Sequence, residues 1–403
     1  CLCLLDYTIK LSTTSELVIE FKECYVLLSM LKKSPTPFKQ GKNVALPISS
    51  LIDLYYKKYF KNFKLDELIF SITDKCQFRC KTCFYADTMD SSDEKSVKGL
   101  SLEEIKKISS SIGNFNKLLV TGGEPFLRDD ISDICHIFYL QNNIRHIHLP
   151  TNAFQTEKNL RGTEEILKKC PNLNLTIGIS IDGLESTHEK IRGIKTSFKR
   201  CVETAHNLSA LKEKYNNLRL NVITVVNHLN IDEIIPLANF IKNELPVDSH
   251  GPVPLRGDPY DKHLRPPTSK QWEELSKKLI EIQANWNNKR DENPLKRFIR
   301  TNREGYMYKT YTDVMNGKNL PSQCQAGEII GVLEANGDVR VCELKDPIGN
   351  VKFYDYDFKK VWFSQSANEM RKTVKGCKCT HPCFISSSNK VNVKTLVESA
   401  LVP

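Results

Sequence analysis

Between Glu67 and Gly257, short apolar runs rich in β-branched residues alternate with longer stretches whose apolar residues recur at helical spacing. This alternation predicts repeated strand and helix units, and strands joined by helices lie parallel in one sheet. The predicted strands are 67–73, 117–121, 144–150, 174–181, 218–226 and a weaker one at 249–256. The pattern therefore predicts an α/β fold in which six units curve into an open barrel.

Helices are predicted between these strands, for example at 102–112 and 231–245, and a long one at 270–289. Ser101 and Glu104 form a capping-box pattern, because the hydroxyl and the carboxylate can satisfy free N–H groups at a helix start. The first predicted helix is therefore supported by two independent signals.

The two ends of the chain differ from this repeating pattern. Residues 1–63 are Lys-rich and are predicted to form a helical extension of unassigned role, with a break at 34–37. The barrel is assigned to 64–290 and a small, loop-rich module to 320–386, where a metal would replace a missing core. Residues 387–403 are predicted to be a C-terminal tail.

Charge and hydropathy narrow the classes of function. The net charge is +10, but the lysines are spread along the chain, which disfavours a nucleic-acid-binding stripe. No apolar stretch approaches the roughly 18 residues of a membrane span, and the start lacks the features of a signal peptide. These features predict a soluble, cytoplasmic protein without a transmembrane segment.

The chain has 14 cysteines, which in a cytosolic protein favour metal ligation over disulfides. Six are scattered, and we interpret them as small buried hydrophobic residues: Cys1, Cys3, Cys24, Cys135, Cys170 and Cys201. The other eight form a first group of three and a C-terminal group of five. These two groups are the candidate metal sites.

The first group, Cys76, Cys80 and Cys83, has the spacing C-x3-C-x2-C on the loop after the first predicted strand. Its thiolates are expected to converge at the carboxyl end of the barrel, where active sites of such folds lie. A four-iron cluster on three cysteines keeps one open iron, which can chelate S-adenosylmethionine (SAM) and deliver one electron to its sulfonium. Structural zinc is the alternative, but no fourth ligand follows Cys83 closely.

The second predicted strand ends in Gly122, Gly123, Glu124 and Pro125. Two glycines allow the backbone to approach a ligand closely. A cysteine motif and a GGEP motif in this order, on these strand ends, resemble the radical SAM superfamily. The resemblance implies a partial (β/α)6 barrel of the TIM type in which Cys76, Cys80 and Cys83 are catalytic cluster ligands.

Further along the chain, beyond the GGEP motif, four residues at predicted strand ends or shortly after them resemble segments of the SPASM and twitch branch of that superfamily. The resemblance implies contacts with SAM for Asn152, Ser180, Asp182 and Arg192, as for the GGEP segment. Turn formation is the alternative role for the Ser, Asp and Asn residues. One departure from the family is Thr82, where an aromatic residue often precedes the third cysteine.

The C-terminal group resembles the twitch form of the SPASM extension, because Cys324 is followed by Gly337-x4-Cys342 and later by Cys377, Cys379 and Cys383. The resemblance implies one auxiliary iron-sulfur cluster, expected to be 4Fe-4S. The family pattern fits Cys324, Cys342, Cys379 and Cys383, with Cys377 spare or a substitute. A zinc knot is the alternative. His381 could bind or hydrogen-bond the cluster, although stabilising the turn is the preferred role.

The function implied by the resemblance is reductive cleavage of SAM and radical modification of a substrate by hydrogen abstraction, with a peptide or protein as the favoured substrate. A carbohydrate, nucleoside or lipid-linked substrate is the alternative, as is a non-catalytic electron-transfer protein. The partners implied are the substrate and an electron donor such as flavodoxin or ferredoxin. Arg256 and Asp258, after the sixth strand, could orient a polar substrate or form a salt-bridged loop.

Overall fold

The computed structural model of the protein describes residues 7–11, 16–21, 24–29, 65–86, 99–290 and 294–401. It divides into two compact units, Cys1–Asn62 and Phe63–Pro403. We describe the two units separately.

In the first unit the described residues form an antiparallel sheet of β1 (Tyr7–Leu11), β2 (Glu16–Phe21) and β3 (Cys24–Ser29). The prediction of helix is therefore wrong for these residues. Their runs contain β-branched residues that restrict helical rotamers and favour strands, namely Thr8, Ile9, Val18, Ile19 and Val26. The predicted break at 34–37 lies outside the described residues.

In the second unit, six parallel strands coincide with the six predicted ones to within a few residues. They are β4 (Glu67–Thr73), β5 (Lys117–Gly122), β6 (His146–Thr151), β7 (Asn174–Ser180), β8 (Leu218–Val226) and β9 (Ser249–Pro254). The helices that accompany them are α1 (Leu102–Ile112), α2 (Ile131–Asn142), α3 (Thr156–Lys169), α4 (Glu185–Arg192), α5 (Ser197–Ala210), α6 (Ile234–Glu244), α7 (Ser269–Arg290) and α8 (Pro294–Met315).

The strands form one sheet in which β4 to β9 are neighbours in chain order. Three short strands extend it beyond β4: β10 (Ile330–Leu333), β11 (Asp338–Arg340) and β12 (Gly349–Asn350). β10 pairs parallel with β4, while β11 and β12 are antiparallel. Within the described residues β9 and β12 do not pair, so the sheet remains an open, partial barrel, as predicted. The predicted C-terminal module thus contributes to the same sheet.

Local signals explain how the barrel is built. The hydroxyl of Ser101 accepts a hydrogen bond from the Glu104 N–H at 3.3 Å, and the Glu104 carboxylate accepts one from the Ser101 N–H at 2.7 Å. The predicted capping box at the start of α1 is therefore confirmed. All seven residues of β4 are buried, which makes this strand the centre of the core.

The C-terminal part of the second unit ends in four helices: α9 (Phe358–Trp362), α10 (Gln365–Thr373), α11 (Pro382–Lys390) and α12 (Val393–Leu401). The carboxylate of Glu67 on β4 forms a buried ion pair with Lys117 at 2.5 Å. It also accepts a hydrogen bond from Ser387 at 2.7 Å. These bonds attach α11, which contains Cys383, to the inside of the barrel. In the described part of the chain, no helix is both long and apolar enough to span a membrane.

Candidate active site

The first cysteine group lies on the loop after β4, where the carboxyl ends of the parallel strands form a cleft of about 200 Å³. Cys76, Cys80 and Cys83 all line this cleft. Cys80 is buried, and the other two are partly exposed. The predicted convergence of these three thiols on one cavity is what the structure shows.

Two polar groups lie close to the sulfur atoms. The Phe78 N–H donates a hydrogen bond to the Cys76 Sγ at 3.4 Å, and the Arg192 guanidinium donates one to the Cys80 Sγ at 3.7 Å. Burial raises the pKa of Cys76 to about 11 and that of Cys80 to about 12. Both thiols therefore stay protonated at neutral pH unless a bound cation stabilises the thiolate charge. Metal ions stabilise thiolates in this way.

The GGEP segment packs on the cysteine loop. A Cβ atom on Gly122 would lie 2.2 Å from the Thr73 carbonyl oxygen, and one on Gly123 would lie 2.2 Å from the Lys75 carbonyl oxygen. The Gly123 N–H donates to the Thr73 carbonyl at 2.7 Å. The glycines were predicted to allow close approach to a ligand, whereas the closest approach in the structure is to the cysteine loop itself. Both glycines also line the cleft.

Glu124 connects two strand ends. Its buried carboxylate accepts hydrogen bonds from the Thr151 hydroxyl and the Asn152 N–H, both at 2.7 Å. Burial raises its pKa to about 7, although these hydrogen bonds oppose the shift. Glu124 therefore links the end of β5 to the end of β6. Pro125 is buried behind it and is not among the residues that line the cleft.

Of the four downstream candidates, Asn152, Ser180 and Arg192 line the cleft. Asp182 does not. It is fully buried behind Arg192, where its carboxylate lies 2.7 Å from the Arg192 Nε. Burial alone would lower the pKa of Arg192, but the Asp182 carboxylate outweighs this and raises it. Asp182 thus fixes and neutralises Arg192 and was not recognised from the sequence in this positioning role.

The C-terminal cysteines lie on several elements. Cys342 follows β11, Cys377 and Cys379 precede α11, and Cys383 is in its first turn. Cys324, Cys342 and Cys383 are buried, and the other two are partly exposed. A hydrogen bond between Cys377 and Cys379 lowers the pKa of Cys377.

These five cysteines do not have the same neighbours. Burial, together with negative charge on Glu343, Cys324 and Cys377, raises the pKa of Cys342 to about 12. The pKa of Cys383 is instead lowered against burial by a hydrogen bond from His381 and by the charge of Lys117. Cys377, expected to be spare or a substitute, therefore has cysteine neighbours, whereas the main partners of Cys383 are His381, just before α11, and Lys117 on β5.

A buried polar chain that the sequence did not reveal connects the two groups. Glu343, next to Cys342, accepts a hydrogen bond from the Tyr85 hydroxyl at 3.2 Å and pairs with the His381 Nε2 at 2.6 Å. Tyr85 is two residues after Cys83. His381 therefore does more than stabilise a turn. The only sequence signal for this chain is that each member lies within two residues of a cysteine.

The part of the chain that contains the first cysteine group matches a family model. The model of the radical SAM superfamily matches residues 70–241, which include the first cysteine group and the GGEP segment. Residues 70–241 are a radical SAM domain. Such a domain implies a 4Fe-4S cluster and SAM. The three cleft-lining thiols fit a cluster, but no group of three His, Cys, Asp or Glu side chains in the described residues could hold a single metal ion.

Curated relatives resemble this part of the chain. The GTP 3',8-cyclase of Vibrio vulnificus (strain YJ016) is 26% identical over 211 residues, which are 51% of this chain and 55% of the relative. The Fe-coproporphyrin III synthase of Methanosarcina barkeri (strain Fusaro / DSM 804) is 24% identical over 188 residues, or 46% and 43%. The chain thus spans about half the length of the curated relatives it matches.

Solved structures share the fold over a larger part of the chain. Streptococcus suis SuiB bound to the precursor peptide SuiA has a TM-score of 0.56 at 14% identity, and the match covers 92% of this chain and 90% of the SuiB chain. The enzyme anSMEcpe with bound AdoMet has a TM-score of 0.52 at 18% identity, with coverages of 77% and 84%. These similarities confirm the partial barrel around the radical SAM domain.

Proposed function

We propose that the protein is a radical SAM enzyme that cleaves SAM reductively and modifies its substrate by abstracting a hydrogen atom. The observation that supports this most strongly is that Cys76, Cys80 and Cys83 line one cleft with Gly122 and Gly123. Electron transfer alone would not need the GGEP segment beside three cysteines. A non-catalytic role is therefore the weaker explanation.

The chain's own residues divide the work in this proposal. Cys76, Cys80 and Cys83 hold the 4Fe-4S cluster, which when bound supplies one electron to the sulfonium of SAM. The glycine backbone, Asn152 and Ser180 contact SAM in the cleft. Arg192 donates to the Cys80 sulfur and offers hydrogen bonds to the carboxylate of SAM, while Asp182 keeps it in place.

We further propose that the C-terminal cysteines hold one auxiliary cluster, as in the twitch form of the SPASM extension. Two sets of four ligands are compatible with the chain. The family pattern favours Cys324, Cys342, Cys379 and Cys383. The mutual charge effects among Cys324, Cys342 and Cys377 favour a set that contains Cys377 in place of Cys383.

The substrate in this proposal is a peptide or protein, and the fold shared with SuiB bound to its precursor peptide supports it. A nucleotide or another small molecule is the second candidate, because the first curated relatives are GTP 3',8-cyclases. Either reaction needs an external electron donor such as flavodoxin or ferredoxin. It also needs a compartment that keeps thiols reduced, which the cytoplasm provides.

The proposal is tested by anaerobic reconstitution followed by reduction with dithionite in the presence of SAM. We expect slow formation of 5'-deoxyadenosine and methionine even without the true substrate. Iron and sulfide are measured on the same sample, and zinc content serves as the control. Protein that binds zinc and no iron under these conditions would contradict the proposal.

A further inference from the structure

Arg256 lies at the edge of the cleft formed by β9. It is the second residue after this strand, and its side chain lines the same cleft as the first cysteine group. The strands β6, β7 and β8 separate β9 from the strand that carries the GGEP segment. Arg256 is therefore on a different part of the cleft wall from the GGEP segment.

The loop that carries Arg256 is fixed to the cysteine loop. The Tyr260 N–H donates to the Cys83 carbonyl at 2.8 Å, and the Asp261 N–H donates to the Lys81 carbonyl at 3.0 Å. The side chains of Lys81 and Asp261 form an ion pair at 2.7 Å. A side chain on such a loop is positioned before any ligand binds, which lowers the entropic cost of binding.

Among the described residues, no side chain forms an ion pair with the guanidinium of Arg256. Its Nε is buried and has no hydrogen-bond partner in the part of the chain that the structure describes. Asp258, considered as its partner from the sequence, instead pairs with Lys262 at 2.8 Å and is exposed. Glu343 is a carboxylate whose pKa is lowered in part by the charge of Arg256, but it is already bonded to Tyr85 and His381.

The guanidinium of Arg256 lies over the ring of Phe84. The Cζ atom of Arg256 lies 5.6 Å from the centroid of the Phe84 ring. A guanidinium stacked on an aromatic face keeps its N–H edge available for two parallel hydrogen bonds to a carboxylate or a phosphate. A partly buried cation without a partner is unfavourable, and an anionic ligand would relieve this cost.

We propose that Arg256 anchors an anionic group of the substrate, a carboxylate or a phosphate, at the edge of the cleft. This inference rests on the proposed function, because it needs a substrate in the same cleft. The next residue, Gly257, has a positive φ of +71°, and a Cβ there would lie 3.0 Å from the Leu344 side chain. The loop that carries Arg256 therefore also approaches the segment that follows Cys342.

Calorimetric titration of the reconstituted full chain with SAM present tests the proposal. One titration uses inorganic pyrophosphate and the other uses N-acetylglutamate amide, so the phosphate and carboxylate sources are distinguished. We expect at least one probe to bind, with an affinity about tenfold lower in Arg256→Gln because one bidentate charged bond is lost. Arg256→Lys should weaken binding less than Arg256→Gln, since it keeps the charge and loses the fork geometry.

The matched control is Arg145→Gln, an exposed arginine just before β6 at the opposite ends of the strands. It should bind both probes as the unmodified protein does. The proposal is overturned if Arg256→Gln binds the probes as tightly as this control, or if the unmodified protein binds neither. SAM cleavage by the unmodified protein is scored separately. Its absence would contradict the proposed function and leave an Arg256-dependent anion site standing.

Discussion

The two cysteine groups are held by different kinds of structure. Cys76, Cys80 and Cys83 occupy one loop between the ends of parallel strands, and the GGEP segment and Arg192 bond directly to that loop or its sulfur. The C-terminal cysteines are spread from Cys324 to Cys383 over short strands, turns and one helix start. The first group is therefore ordered by the barrel, whereas the second depends on its own ligand or on side-chain contacts for its order.

The largest expected effect separates the groups by iron content. Changing Cys76, Cys80 and Cys83 together to Ala should reduce bound iron from about eight to about four per chain, since each cluster holds four. The Cys324→Ala/Cys342→Ala protein should lose a similar amount, but from the other cluster. Iron and sulfide analysis with electron paramagnetic resonance checks this. A SAM-induced spectral change that survives the triple substitution would contradict the assignment of the SAM-binding cluster to the first group.

A second experiment determines whether Cys377 or Cys383 is the fourth ligand of the C-terminal group. Because Cys377 has cysteine neighbours and Cys383 has His381 and Lys117 as partners, we expect Cys377→Ala to lose the auxiliary iron and Cys383→Ala to retain most of it. The same iron analysis measures both variants, each at matched folded content by circular dichroism. The reverse result would favour the set implied by the family pattern.

Because the barrel orders the first cysteine group, we expect a large effect on stability at Asp182, a residue that does not line the cleft. Asp182→Asn leaves the Arg192 guanidinium without its buried counter-charge and should lower the unfolding free energy of the cluster-free protein by about 3 kcal/mol. Urea denaturation measures this. The control is Asp258→Asn, whose pair with Lys262 is exposed and should contribute close to nothing. Equal effects of the two substitutions would remove Asp182 from its positioning role.

A pH dependence follows from Glu124. Its pKa is raised from 4.5 to about 7 by burial, so the folded state holds this proton more tightly than the unfolded state. Glu124 therefore contributes up to about 3 kcal/mol to the free energy of unfolding. This contribution is fully present below about pH 4.5 and is lost as the pH rises through about 7.

Glu124→Gln should remove this component of the pH dependence of the unfolding free energy. Urea denaturation of the cluster-free protein between pH 5 and pH 8 measures the difference from the unmodified chain. Glu103→Gln, an exposed glutamate at the start of α1, is the matched control and should leave the pH dependence as it is. A Glu124→Gln protein with the original pH dependence would show that another group causes it.

The sequence predicted those features that depend on local pattern. The six parallel strands, the capping box at Ser101 and the convergence of Cys76, Cys80 and Cys83 all follow from periodicity, short-range hydrogen bonding or strand order. The strands β1, β2 and β3 do not follow from the Lys-rich composition of residues 1–63 and are indicated only by their β-branched runs.

Features that depend on tertiary contacts could not be predicted. Asp182 pairs with Arg192 only because α4 returns to the strand end, and Glu343 meets Tyr85 only because β10 pairs beside β4. The packing of Gly123 against the Lys75 carbonyl could not be predicted for the same reason. A bulky residue at this position should therefore disturb the cysteine loop as well as the binding of SAM.

The most direct test of the division between the two cysteine groups is SAM cleavage without substrate, measured as 5'-deoxyadenosine after dithionite reduction of reconstituted protein. Cys80→Ala should abolish the product, because Cys80 is on the cleft that would hold SAM. Cys342→Ala should retain much of it, because Cys342 does not line that cleft. A soluble, folded Cys342→Ala protein that loses cleavage as completely as Cys80→Ala would contradict the assignment of SAM cleavage to the first group alone.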